Sequence, residues 1–463
     1  MLLPNLVSRA VLLLLVILFS AVATEAQRPN VYIVIVDALD AALVNAELTP
    51  NLWRLATGDT DRTTFYPRGR SVMPTVTNTN HASVMTASYA AAHGIIGNRF
   101  WDRPATTSPV RSEQARYVEV ETLFTVIETE EPSLTTAALF GKSRLVDLFN
   151  ECPGRQKRPD VLWGDAAIDG EKFDPASGYH SDDRTMNAAL QTIADHEPDL
   201  MLVALPDVDR TEHMYGRSTS EAARAVQTAD REIGRLIEFV KSRGAWQRTV
   251  LLITADHGFR LLKPDLSDGP PYPFIFLEQT LRRAGFNDVE LITNGNLELL
   301  ALRGPAPRAL DDQTGDVLKR VRALVLADPN ITAAWYRLPN PADGGDAFTV
   351  SQVHPEWRLA HPRAGELFVV ANANYKFVDP STSLQLVGDH GGPEQSYIPI
   401  LIAGGDPRIR KQVLSSGGAF PPAENPDLGA TVAWLLGVRM PRMIGGAAVP
   451  QQLAGRVLRE AFE

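Results

Sequence analysis

Four stretches of the chain hold residues with metal-binding chemistry: Asp37 at the end of VYIVIVD, D209-R-T-E-H213, D256-H257-G258 and G388-D-H390-G-G. D209-R-T-E-H213 spaces a carboxylate and an imidazole four residues apart, and D256-H257 places another such pair at a strand end. Taken singly, each motif fits a turn or a hydrogen-bonded pair equally well. Together they supply three carboxylates and three imidazoles, a set that suits two borderline divalent cations. Mixed nitrogen and oxygen donors without thiolate favour zinc, with manganese as the alternative. Asp207 competes with Asp209 for the ligand role, and whichever is excluded becomes a turn or cap carboxylate.

Hydroxyl groups crowd into one segment, PTVTNTNHASVMTASYAAAHGIIGN (74–98), which holds four threonines and two serines beside two histidines and three asparagines. From Asn78 to Ala92 there is no internal Pro or Gly, which predicts a helix with Thr77 near its amino terminus. Free N–H groups and the helix dipole favour an anionic oxygen there. The same position suits an ordinary N-capping threonine.

These groups need elements to position them. The runs VYIVIVD (31–37), MLVALPDVD (201–209), TVLLITADHG (249–258) and YIPILIAGG (397–405) are apolar without alternation, as in strands buried on both faces of a helix-covered sheet. EAARAVQTADREIGRLIEFVKSRG (221–244) has helical periodicity and ends at Gly244. The fold class is therefore α/β, a mostly parallel sheet sandwiched by helices. Asp37, Asp209 and Asp256 fall just after strand runs, where such sheets bind ligands. Three converging carboxylates call for a cation. Residues 262–380 read as an inserted smaller α+β cap, dividing the catalytic core into 28–261 and 381–463.

Bulk properties bound the function. A chain of 463 residues with 44% hydrophobic and 22% charged residues has material for a large core. A net charge of −10 argues against a nucleic-acid polymer as partner. The single cysteine, Cys152, excludes an internal disulfide and a thiolate metal site. Residues 1–26 read as a signal peptide, because the apolar run Ala10–Ala23 is shorter than the ~20 residues of a membrane span. The mature protein is expected to be exported, periplasmic or secreted, without a membrane span after cleavage; an uncleaved amino-terminal anchor is the alternative.

In this order the motifs resemble the nucleotide pyrophosphatase/phosphodiesterase (type I phosphodiesterase) branch of the alkaline phosphatase superfamily. The similarity rests on V-D37, P74-T-x-T77-x-x-N-H81, H93-G-I-I-x-N98, D209-x-x-x-H213-x-x-G216, D256-H257-G258, H390-G-G and PDLGATVAWLLGV (426–438), and runs from Val31 to Val438. The resemblance implies an alkaline phosphatase-like core and one metal held by Asp209, His213 and His390. It implies a second metal held by Asp37, Asp256, His257 and the oxygen of Thr77. Asn98 would bind a nonbridging phosphoryl oxygen. Thr77 then becomes the nucleophile of an exported phosphodiesterase or nucleotide pyrophosphatase acting on a small phosphoester through a phosphothreonine intermediate. His81 and His93 are expected to brace the segment. His180, His196, His354 and His361, which lack matching spacing, are expected at the surface or in the insertion.

Two departures stand out: Thr79 where the family usually has proline, and Ala87 where it usually has glycine, so the backbone at 87 must accommodate a Cβ. Within enzymes, the alternatives are a phosphomonoesterase or a phosphonoacetate hydrolase-like activity on the same site. T75-V-T77-N-T-N and F140-G-K142-S-R144-L resemble the latter, with Lys142 and Arg144 either gripping a substrate carboxylate or standing as solvated charges. Outside enzymes, the alternative is an inactive metal- or ligand-binding homologue. A sulfatase is disfavoured because Cys152 lacks the C-x-P-S-R surroundings.

Overall fold

The computed structural model describes residues 28–58, 61–164, 178–262, 273–378, 387–415 and 420–462. The expected signal peptide lies outside these residues, as do 263–272 and 379–386 at the expected margins of the insertion. Strands β1 (Asn30–Val36), β2 (Arg62–Arg70), β3 (Thr136–Phe140), β4 (Val161–Trp163), β5 (Leu200–Leu205) and β6 (Thr249–Thr254) belong to one large sheet. A second sheet follows, from β7 (Val289–Asn294), β8 (Leu297–Leu302), β9 (Ile331–Tyr336) and β10 (Leu367–Ala371). The chain then returns to the first with β11 (Tyr397–Gly404) and β12 (Gln412–Val413). Among the described residues the large sheet has the order β12-β2-β11-β6-β1-β5-β3-β4.

The mostly parallel α/β core expected from the sequence is present. β1 lies between β5 and β6, both parallel to it, and β3 and β4 continue the parallel run beyond β5. β11 is antiparallel to β6 and β2. Every residue of β1, β5 and β6 is buried, which explains why their sequences lack alternation. The helices that matter for the site are α1 (Thr77–Thr86), α2 (Asp182–His196), α3 (Asp207–Tyr215), α4 (Ser220–Ser242), α5 (Asp312–Val325) and α6 (Asn425–Leu436). α4 matches the predicted helical run and buries its apolar stripe of Ala222, Val226, Ile233, Leu236 and Val240. Among the described residues no helix is long and apolar enough to cross a membrane.

The second sheet is antiparallel with the order β7-β8-β10-β9. Here the side chains do alternate. Leu299, Ala301, Phe368 and Val370 join the main core, whereas Leu300, Leu367, Val369 and Ala371 pack with α5 residues Leu318, Val321 and Val325 in a separate cluster. One face thus rests on the core and the other has a small core of its own.

The single helix predicted from Asn78 to Ala92 is two. α1 stops at Thr86 because Ala87 turns left-handed (φ 49°, ψ 36°) and sends its N–H back to Ser83 and Val84, and a short helix, Ala90–His93, follows. Ala87 occupies the glycine-like conformation that its position in the motif demands, at the cost a Cβ brings there.

Candidate active site

Three neighbouring parallel strands deliver the carboxylates. β1 runs directly into Asp37, whose N–H donates to Leu205 O at 2.9 Å and so prolongs the β1–β5 ladder. β5 runs through Pro206 into α3, which bears Asp209 and His213 one turn apart, with His213 Nε2 3.2 Å from Asp209 Oδ1. β6 leads to Asp256 and His257. Asp256 Oδ1 accepts the N–H groups of Ala38 (3.2 Å) and His257 (3.0 Å), tying the ends of β1 and β6 together. His390 arrives from the segment before β11, its Nε2 3.6 Å from Asp209 Oδ1.

The remaining atoms define the chemistry. Asp37 Oδ1, Asp209 Oδ1, Asp256 Oδ2 and His257 Nε2 are all sealed from solvent and make no hydrogen bond among the described residues. They face one another: His257 Nε2 is 3.4 Å from both Asp37 Oδ1 and Asp256 Oδ2. The tautomers follow from the backbone. His213, His257 and His390 each place Nδ1 2.8–3.0 Å from a carbonyl, that of Gly388, Gly258 and Thr75 respectively. Nδ1 must donate, so in the neutral ring, which burial favours for His257 and His390, Nε2 presents a lone pair to the carboxylates, while Asp209 beside His213 raises that ring's pKa against the effect of burial. Lone pairs and buried carboxylates facing one another repel unless a cation joins them. The donor set therefore fits divalent metal.

Asp37, Asp256 and His257 converge as one candidate ligand group. Around Asp209 the arrangement is broader: Asp209 groups with His257 and His390, and His213 groups with His390 and Asp389. Asp389 was missed in the sequence because it adjoins a stronger candidate; buried Lys376 pairs with it at 3.1 Å. Asp207 takes no part. Asp207 and Asp182 each accept the other's backbone N–H, at 2.9 and 3.0 Å, and Arg210 binds Asp207 at 2.7 Å, so Asp207 joins the starts of α2 and α3.

A further charge reaches the cluster from β3. Lys142 is only 3% exposed, which excludes the solvated-charge reading. Its Nζ contacts Asp37 Oδ2, lies 2.8 Å from Asp209 Oδ2 and donates to Thr77 Oγ1 at 3.3 Å. Burial disfavours the ammonium, but the two carboxylates outweigh burial and raise its pKa. Burial, then Asp209 and Asp256, push the Asp37 carboxyl well up. Burial lifts Asp256 to about 6, whereas Lys142 and His213 overcome burial and hold Asp209 well below the usual range.

Thr77 is the first residue of α1, 1% exposed, and the N-cap is Val76, without a side-chain cap. The hydroxyl therefore faces the charged cluster instead of the helix's own amides. Asn98 Oδ1 accepts the Asn78 N–H at 3.0 Å, which turns its Nδ2 donors away from that bond. His81 Nδ1 donates to Thr77 O at 2.9 Å, bracing the segment. His180 departs from expectation: it is 2% exposed and lies against Trp163, ring centroids 4.6 Å apart.

His93 also braces. Ser83 Oγ donates to Thr79 O (2.9 Å), so it accepts from His93 Nε2 (2.9 Å), and His93 Nδ1 accepts the Ile95 N–H (3.2 Å). That pattern requires a neutral ring, and burial lowers its pKa to about 3. An unfolded histidine titrates near ~6.5. The unfolded chain then binds the proton that the native state refuses, so His93 contributes full stability above pH ~6.5 and loses it as pH falls toward 3. His93→Gln is expected to flatten the acid limb of urea-unfolding free energies measured between pH 8 and pH 4. An unchanged slope would show that His93 does not contribute to it.

The profile of the Type I phosphodiesterase / nucleotide pyrophosphatase family matches residues 31–393. An uncharacterized pyrophosphatase/phosphodiesterase of Schizosaccharomyces pombe is 27% identical over 51% of this chain and 46% of its own, so the chain spans less than half of that relative's length. The fold is similar to murine ectonucleotide pyrophosphatase/phosphodiesterase 5, with TM-score 0.68, 16% identity, and coverage of 94% of this chain and 100% of that one. An inactive threonine-to-alanine variant of that murine protein is also solved in complex with AMP. Phosphonoacetate hydrolase from Sinorhizobium meliloti, solved with phosphonoformate, has TM-score 0.62, 19% identity, and coverage of 89% and 96%.

Proposed function

The chain belongs to the type I phosphodiesterase/nucleotide pyrophosphatase family, and on that premise we propose that it is an exported, metal-dependent phosphodiesterase or nucleotide pyrophosphatase with Thr77 as nucleophile. The observation that supports this most is the set of sealed, unbonded donor atoms on Asp37, Asp209, Asp256 and His257 beside the Thr77 hydroxyl. Asp37, Asp256, His257 and Thr77 would hold one divalent cation, and Asp209, His213 and His390 the other, zinc or manganese by their nitrogen and oxygen donors. When bound, such ions lower the pKa of the hydroxyl and offset charge on the attacking and leaving oxygens.

The chain's own groups do the rest. Thr77 Oγ1 gives up its proton to solvent water, which in turn supplies the proton the leaving oxygen takes up, and attacks phosphorus in line. An O–P bond forms as the bond to the leaving alcohol or phosphate breaks. Lys142, donating to the same oxygen, favours its anionic form. Asn98 Nδ2 and the Thr77 N–H at the start of α1 steady charge on the equatorial phosphoryl oxygens. Water then displaces Thr77 from phosphorus and the hydroxyl is restored. Residues 262–380, the proposed cap on a core of 28–261 and 381–463, would select the leaving group. The murine variant described as inactive after a threonine-to-alanine change accords with a threonine doing this chemistry.

A phosphonoacetate hydrolase-like reaction is the second reading, favoured by one observation. Lys142 reaches Thr77, and Arg144, two residues on, lies within the field of Asp209 and Asp37 with its guanidinium 6.0 Å from the Tyr179 ring centroid. A cation at the nucleophile and a second within the field of the same carboxylates would suit a substrate with a second anionic group. Rates with bis(p-nitrophenyl) phosphate, p-nitrophenyl phosphate, a nucleoside triphosphate and phosphonoacetate separate the readings. The diester or triphosphate is expected to lead; a lead for phosphonoacetate would overturn the first reading in favour of the second. Failure to hydrolyse any, with no zinc or manganese retained, would favour a non-catalytic binder.

A further inference from the structure

We propose that Asn294, at the turn between β7 and β8, is a positioning residue that sets the Asn98 amide against the phosphoryl group. The inference rests on the role given to Asn98 above. The turn Asn294-Gly295-Asn296 projects from the second sheet into the core, and both asparagines are almost sealed, at 3% and 1% exposure. A polar turn tip buried this deeply needs partners for its amides.

Those partners belong to two segments of the site. Asn294 Oδ1 accepts the Arg99 N–H and Asn294 Nδ2 donates to Arg99 O, both at 3.1 Å. One carboxamide thus grips both polar groups of the residue after Asn98, as a neighbouring strand would. Gly97, on the other side of Asn98, has no room for a side chain, because a Cβ there would overlap the Asn294 carboxamide. On its opposite flank the turn meets the His390 segment: Asn296 N–H donates to His390 O at 3.0 Å. Gly295 (φ 69°) lies so close to that carbonyl that a Cβ would collide with it. Lys376, beside β10, adds its ion pair to Asp389 at 3.1 Å.

The turn therefore locks the Asn98 segment and the His390 segment to one rigid hairpin. Small displacements of a transition-state donor are costly, up to ~100-fold per ångström. Among the described residues the Asn294 carboxamide bonds Arg99 and Ile292 and not Thr77, so its effect passes through Arg99 to Asn98.

The experiment is a double-mutant cycle on hydrolysis of bis(p-nitrophenyl) phosphate by the metal-loaded enzyme, with Asn98→Ala, Asn294→Ala and the pair. Asn294→Ala is expected to lower kcat roughly 10- to 100-fold with little change in KM. Asn98→Ala/Asn294→Ala is expected to be no slower than Asn98→Ala alone, and metal content should match wild type. Asn294→Ser keeps a short hydroxyl able to bond Arg99 without placing a buried carboxylate against the Arg99 carbonyl, so it should fall between wild type and Asn294→Ala; it supplies the readout if the alanine variant does not fold. Wild-type kcat in both Asn294 variants, or losses that multiply in the pair, would overturn the proposal. Thr77→Ala reports on the underlying function separately, because Asn294 touches neither that residue nor its partner Lys142.

Discussion

Thr77→Ala is expected to reduce turnover of a phosphodiester by at least about 1,000-fold while leaving fold and metal content close to wild type. The hydroxyl caps no helix, and the donor to it among the described residues, Lys142, keeps its pairing with Asp37 and Asp209 when the hydroxyl is removed. Alanine is a good residue at the first position of a helix, so α1 should form as before. Six carboxylate and imidazole side chains of the donor set are untouched. The check is kcat on bis(p-nitrophenyl) phosphate, metal content by elemental analysis and thermal unfolding by circular dichroism. Activity near wild type would transfer the nucleophile to another hydroxyl or to water, while loss of the melting transition would make Thr77 a structural residue.

Asp256→Asn should act differently, reducing metal affinity as well as rate. Asp256 Oδ1 already accepts two backbone N–H groups, from Ala38 and His257, and its sealed Oδ2 faces the lone pair of His257 Nε2. An asparagine can satisfy only one side. With its oxygen toward the two amides, its NH2 points at the cation; with its oxygen toward the cation, its NH2 meets two N–H donors. Either orientation forfeits a ligand or strains the ends of β1 and β6. Metal affinity is expected to fall at least about 100-fold, exceeding the 10–100-fold typical of outer-shell changes, as measured by competition with a chromophoric chelator. Wild-type affinity with a reduced rate would remove Asp256 from the ligand set.

Much of this arrangement was readable along the chain because its cause is local. Strands buried on both faces must be continuously apolar, so the abrupt carboxylates at Asp37 and Asp256 marked two strand ends without any knowledge of their neighbours, whereas Asp209, expected to close a third strand run, lies on α3 beyond the end of β5 at Leu205. The four-residue spacing of Asp209 and His213 likewise needs only a helix to bring the two together. Ala87 was legible only as a residue standing where glycine is usual; that the backbone turns left-handed there and ends α1 was not, and the helix was expected to run on to Ala92. β2 was not legible: RTTFYPRGR mixes three arginines, a proline and a glycine, and its pairing with β11 shifts register between Ile398 and Ile400.

What the tertiary structure alone decided is the company each polar group keeps. A lysine in F140-G-K142-S-R144 reads as a surface charge by every local rule, because an isolated buried ammonium is prohibitively costly. It is buried here because Asp37 and Asp209, from strands far away in sequence, offset that cost. The same reason separates Asp209 from Asp207, two residues apart on one helix, of which one faces the cluster and the other the start of α2. Asn294 is the extreme case: nothing in VELITNGN distinguishes a solvent-exposed hairpin tip from one driven into the core, since only the packing of the second sheet on the first determines which it is.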